Sequence, residues 1–103
     1  MKIELDQVYT LKISNVASGN SSIAMGYLTN ATNYYATSMG IATTASGNQS
    51  LAAGSTTTAS GETATAFGVL TVASGNTSTA MGNSTLASGM YSTATGINTR
   101  AEG

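Results

Sequence analysis

Large apolar residues are sparse along the chain, but they recur in matching places. Ile23 and Met25 flank Ala24, Met39 follows Ser38, Leu51 precedes Ala52, and Phe67 and Met81 follow Ala66 and Ala80. Such alternation of larger and smaller residues is the pattern of a short strand. Glycine follows each segment, as in Ala24-Met25-Gly26, Ser38-Met39-Gly40 and Ala66-Phe67-Gly68. Between these lies a second class of segment, ending Ala-Ser-Gly at 17–19, 45–47, 59–61, 73–75 and 87–89. Together the two classes place Gly19, Gly26, Gly40, Gly47, Gly54, Gly61, Gly68, Gly75, Gly82, Gly89, Gly96 and Gly103 on a lattice of spacing seven, with Asn33 at the one remaining point. Asn is the non-glycine residue that best tolerates left-handed backbone. The lattice therefore predicts a structural turn with positive φ at every seventh residue.

The residues between glycines show that the full period is fourteen. Thr29, Thr43, Thr57, Thr71, Thr85 and Thr99 hold one place in the repeat, and Ala31, Ala45, Ala59, Ala73, Ala87 and Ala101 another. Six repeats run from Asn20 to Gly103 after a half repeat at Ile13–Gly19. A helix is disfavoured, because each interior Gly costs about 1 kcal/mol against Ala. Collagen needs Gly at every third residue. Two strands of about five residues per repeat, each closed by a tight Gly turn, satisfy the pattern. Each repeat then forms one coil of a β-solenoid, with coils stacked at about 4.8 Å and six coils rising about 29 Å.

Strand alternation assigns the faces. Ser22, Ala24, Thr29, Ala31 and their equivalents point into the coil, so its interior is small throughout. Ile23, Met25, Met39, Leu51, Phe67 and Met81 point outward from the first strand, interspersed with Thr. On the second strand the alternation sends Leu28, Asn30, Leu70, Val72, Leu86 and Arg100 outward. A coil filled with Ala, Ser and Thr buries little apolar area. Its outward Ile/Met/Leu/Phe stripe is therefore expected to be covered by further copies of the chain.

Composition narrows the function. Ala, Ser, Thr and Gly supply 60 of 103 residues, and charged residues only 7%, against roughly 25% in ordinary soluble domains. The net charge of -1 does not match the high charge of disordered chains. His, Cys, Trp and Pro are absent, which removes the usual zinc, haem, thiol and Ser–His chemistries. No catalytic, cofactor-binding or metal site is expected. Lys2, Lys12 and Arg100 form no basic stripe for nucleic acid, and no apolar run suits a membrane span.

The segment Ser22-Ile23-Ala24-Met25-Gly26, repeated as Ser50-Leu51-Ala52-Ala53-Gly54 and Ser78-Thr79-Ala80-Met81-Gly82, resembles the Ser-Val-Ala-Ile-Gly repeat of YadA-like head domains of trimeric autotransporter adhesins. The resemblance covers residues 15–103. It implies an all-β, left-handed parallel β-roll of about six and a half coils, three of which pack around a threefold axis. It also implies that Ile23, Met25, Met39, Leu51, Phe67 and Met81 form the trimer interface. The function it implies is attachment to a host-cell or matrix surface through a protein or glycan ligand, from the bacterial cell surface. Related repeats in bacteriophage tail fibres offer the alternative of a structural fibre or spacer in a virion. Thr replaces one or both members of the apolar pair in several repeats. The repeat runs to Gly103 without the cap that solenoids need, so a segment of a longer protein is expected. The start of the chain, Met1-Lys2-Ile3-Glu4-Leu5-Asp6, lacks a signal-peptide pattern.

Residues 1–14 differ in kind. Ile3, Leu5, Tyr9, Leu11 and Ile13 alternate with mostly polar neighbours, which predicts an N-terminal strand that caps the first coil or links to it, with a short helix as the alternative. Three further motifs invite a functional reading. The sequons at Asn20, Asn30, Asn48, Asn76 and Asn83 follow from its richness in Asn, Ser and Thr. Thr63/Thr65 and Thr77/Thr79 would suit ice binding, but Ser21/Ile23 and Gln49/Leu51 interrupt that ladder. Tyr34-Tyr35, beside Asn33, is either a contact site or a filler over an irregular turn.

Overall fold

The computed structural model of the chain describes residues 15–103. They form a parallel β-solenoid, two strands to a coil. The long strands are β2 (Ile23–Tyr27), β4 (Thr37–Ile41), β6 (Leu51–Ser55), β8 (Thr65–Val69), β10 (Thr79–Asn83) and β12 (Thr93–Ile97). The short strands are β1 (Val16–Ala17), β3 (Asn30–Ala31), β5 (Thr44–Ala45), β7 (Thr58–Ala59), β9 (Val72–Ala73), β11 (Leu86–Ala87) and β13 (Arg100–Ala101). Short strands pair only with short and long only with long, in two parallel sheets ordered along the stack. Every pairing joins residues fourteen apart, such as Met25 with Met39 and Ala31 with Ala45. The sequence period is thus the register itself. The expectation for residues 1–14 lies outside the described residues.

The interior follows the alternation. Ala36, Ala52, Ala66, Ala80 and Ser38 of the long-strand side are fully buried, as are Thr29, Thr43, Thr57, Thr71, Ala31, Ala45, Ala59 and Ala73 opposite. The largest fully buried side chains are threonines. The two sheets approach closely enough for Ser38 Oγ and Thr43 Oγ1 to meet at 2.6 Å across the lumen. A buried alanine methyl adds on the order of 0.8 kcal/mol, so no position in this interior contributes what a leucine core would.

Two expectations about the turns are corrected. The second strand of each coil has two residues and not five, because the chain turns a corner just before it. At that corner Leu28, Ala42, Thr56, Leu70, Ser84 and Asn98 adopt φ of 55–59°. The N–H groups of the last five bond to the preceding coil, as Ala42 does to the Tyr27 carbonyl at 2.8 Å. The other corner behaves alike: Ser21, Tyr35, Gln49, Thr63, Thr77 and Tyr91 have φ of 57–61°, and Tyr35 N–H reaches the Asn20 carbonyl at 2.9 Å. Left-handed backbone therefore falls on non-glycine residues two places after each lattice point. These coil-to-coil bonds offset the strain.

The lattice glycines serve two other needs. Gly26, Gly40, Gly54, Gly68, Gly82 and Gly96 do have positive φ, between 111° and 125°, but they sit inside the long strands. Gly103 has φ 156°. Gly19, Gly47, Gly61, Gly75 and Gly89 lie outside the positive-φ region that requires glycine. They are needed for approach: a Cβ on Gly61 would run into the backbone carbonyl of Gly75 in the next coil. Asn33 shares their place and likewise has no positive φ. Its side chain instead repairs the turn, with Nδ2 donating to Ser46 O at 3.1 Å and Oδ1 accepting from Tyr34 N–H at 2.9 Å.

Candidate assembly face and outer surface

The outer face of the long-strand sheet collects the large apolar residues. Alternation along each long strand turns three positions outward, and the parallel register stacks each into a column. The first column runs through Ile23, Thr37, Leu51, Thr65, Thr79 and Thr93. The second runs through Met25, Met39, Ala53, Phe67, Met81 and Thr95. All six residues expected at a trimer contact lie in these two columns. Ile23, Met25, Phe67 and Met81 are exposed in the single chain, while Met39 and Leu51 are half-buried by their stacked neighbours. Ala53, between Met39 and Phe67 in the column, is already buried.

The third column was not anticipated. It runs through Tyr27, Ile41, Ser55, Val69, Asn83 and Ile97. Reading each Gly as a turn ended the strand one residue too early. The signal was present: apolar residues follow Gly26, Gly40, Gly68 and Gly96 at the same place in the repeat. Tyr27, Ile41, Val69 and Ile97 are 51%, 55%, 42% and 72% exposed.

The opposite surface is smaller and more polar. Asn30, Thr44, Thr58, Val72, Leu86 and Arg100 of the short strands are its outward residues, whereas Leu28 and Leu70 belong to the corner. Beside the short strands, Ser18, Thr32, Ser60, Ser74 and Ser88 are exposed. Tyr34 and Tyr35 stand on the far corner with ring centroids 6.5 Å apart in an edge-on arrangement. Met90 and Tyr91 occupy the same two places four coils on. Arg100 and Glu102 pair at 2.6 Å in the open, where such a contact adds little. Among the described residues there is no pocket, no cluster of three potential metal ligands, and no helix long and apolar enough to cross a membrane. Among the described residues this arrangement assembles no acid–base pair and no activated nucleophile. What it offers is one apolar face and one neutral, hydroxyl-rich face, each repeated coil after coil.

No curated protein and no solved structure matches the chain. The family model for the YadA head domain repeat, which describes two copies, matches it six times in overlapping steps, at 17–41, 31–57, 45–71, 59–85, 73–99 and 87–103. Successive matches begin fourteen residues apart, in step with the coils of the solenoid. With its two parallel sheets, its coil-by-coil register and this match over residues 17–103, the chain belongs to the YadA head repeat family and is a head segment of the trimeric autotransporter adhesin type.

Proposed function

We propose that this chain is a non-enzymatic homotrimeric adhesin segment that holds its apolar long-strand face inward and presents its short-strand face to a host-surface protein or glycan. The observation that carries the reading is the placement of Ile23, Met25, Met39, Leu51, Phe67 and Met81 on one outer face of a coil whose interior holds nothing larger than threonine. An apolar face of this extent favours association, and the family forms trimers. The outward surface is neutral, so attachment would rest on many weak contacts. Three chains and several coils multiply such contacts through effective concentration.

Two measurements test the reading separately. Sedimentation equilibrium at micromolar concentration should return three times the 10.2 kDa chain mass. Phe67→Asp should abolish the trimer, because three carboxylates would be buried together without partners. A stable monomer of the unaltered chain would overturn the assembly. Binding of the trimer to immobilised matrix proteins and glycans should then be compared with a Thr58→Glu/Val72→Glu/Leu86→Glu variant. Retention of a ligand by the unaltered protein and its loss in the variant supports the adhesive role. Failure of both proteins to retain any ligand assigns the segment to a spacer.

A further inference from the structure

We propose that neighbouring chains of the trimer meet through unlike flanks of the long-strand sheet, the Ile23 column of one copy packing against the Tyr27 column of the next. The inference rests on the trimeric reading above and supplies the half of the interface that lies beyond the glycines.

The outward positions of each long strand form a central column through Met25 and two flanks. At about 3.3 Å per residue the flanks stand about 13 Å apart, one on each side of the centre. A closed ring of three uses heterologous contacts, in which a patch on one side of a chain meets a different patch on its neighbour. Only a column lying at the threefold axis meets its own copies. The central column has the strongest claim to that place, being Met25, Met39, Ala53, Phe67, Met81 and Thr95. Each flank must then face the opposite flank of the next chain.

Side-chain chemistry agrees with that pairing level by level. Threefold rotation keeps equal coils at equal height, so residues four apart in sequence become partners between chains. Thr37 meets Ile41, Thr65 meets Val69 and Thr93 meets Ile97, setting a threonine methyl against a β-branched side chain each time. Leu51, bulky in a column of threonines, meets the small Ser55. Thr79 meets Asn83, polar against polar. The Tyr27 column is continuous with the central column on one sheet, and its apolar members are 42–72% exposed in the single chain. A second copy of the chain is therefore the occupant it fits.

The chain has no cysteine, so introduced thiols report the contact directly. Thr65→Cys and Val69→Cys are made singly and together, with Thr37→Cys/Ile41→Cys as a second pair should the first disturb folding. Within one chain each pair is too far apart for a disulfide, which needs Cα atoms within about 7 Å. Under mild oxidation the double variants should give covalently closed trimers on a denaturing gel, and each single variant only free chains. Self-cross-linking of Val69→Cys alone overturns the proposal. So do double variants that stay uncrosslinked while sedimentation still gives three chain masses. In those two cases the trimer survives and only the pairing is wrong; a monomer by sedimentation removes both.

Discussion

The threonines that line the lumen are chemically equivalent in sequence but not in surroundings, and that difference sets up a quantitative test. Thr43 Oγ1 meets Ser38 Oγ at 2.6 Å. In the next three coils the residue facing the threonine is Ala52, Ala66 or Ala80, and the hydroxyls of Thr57, Thr71 and Thr85 are buried without a hydrogen-bond partner. A buried unpaired polar group costs about 1–3 kcal/mol, whereas a satisfied pair contributes about 1 kcal/mol net. Valine matches threonine in shape and strand preference. Thr71→Val should therefore stabilise the chain by about 1 kcal/mol, by removing an orphaned hydroxyl. Thr43→Val should destabilise it by about 1–3 kcal/mol, because Ser38 is then left unpaired. Ala66→Ser should recreate the Ser38–Thr43 pair two coils on and stabilise by a similar margin to Thr71→Val. Urea unfolding at one fixed protein concentration reads these differences. With slopes of about 1–3 kcal/mol per molar, each kcal/mol moves the midpoint by about 0.3–1 M. Combining Ser38→Ala with Thr43→Val closes the cycle and should cost less than either change alone. Equal destabilisation by Thr43→Val and Thr71→Val would refute the reasoning, since it would mean that both hydroxyls are equally satisfied.

Three further outcomes follow from the backbone. Gly61→Ala should lower the unfolding midpoint sharply in thermal circular dichroism, because its methyl meets the carbonyl of Gly75 in the next coil, and a mild effect there would show that the coils can separate to admit it. Thr63→Asn, at φ 58°, should raise stability by up to about 1 kcal/mol by easing a left-handed β-branched residue, and a loss of stability would count against that strain. Asn33→Ala should cost about 1–2 kcal/mol by removing the bonds to Ser46 O and from Tyr34 N–H, while Asn33→Gly, which restores the turn of its neighbours, should be close to neutral; equal costs would mean that the Asn side chain is irreplaceable in the turn.

Much of this architecture was legible because a solenoid repeats its tertiary contacts along with its sequence. The fourteen-residue period gave the coil and its register, and alternation around Ala24 or Ala66 correctly divided inside from outside. What escaped was the path of the backbone between coils. The glycine lattice looked like one requirement repeated and is two: a close approach to the next coil, which excludes a Cβ at Gly54 and Gly61 alike, and a positive φ inside the strand at Gly54 alone of the pair. Only the second coil shows the steric need, since the atom that excludes a Cβ lies fourteen residues away. The lattice predicts positive φ at all thirteen of its points; seven glycines have it, while the φ near 60° of the corners sits at residues such as Leu28, Thr63 and Tyr91, whose types give no hint of it. Reading Gly26 as a turn also hid the outward column of Tyr27, Ile41, Val69 and Ile97.

Fold and assembly are linked here through side-chain size. A lumen no wider than a Ser38–Thr43 contact admits only Ala, Ser and Thr, so the sequence cannot strengthen the coil by enlarging its core. Larger apolar residues have only the outer faces, and the repeat concentrates them on the long-strand sheet. Narrowness inside and apolarity outside are thus two consequences of one geometric constraint. The short strands carry the complementary consequence. Two residues long and flanked by left-handed corners, they present Thr44, Thr58 and Val72 with little apolar area. That leaves the short-strand surface free to vary without loss of the coil, as its run of Asn30, Thr44, Thr58, Val72, Leu86 and Arg100 already does, while Thr and Ala beneath it stay fixed. A surface that varies over a constant interior is the property an attachment module needs, and here it follows from the width of the lumen.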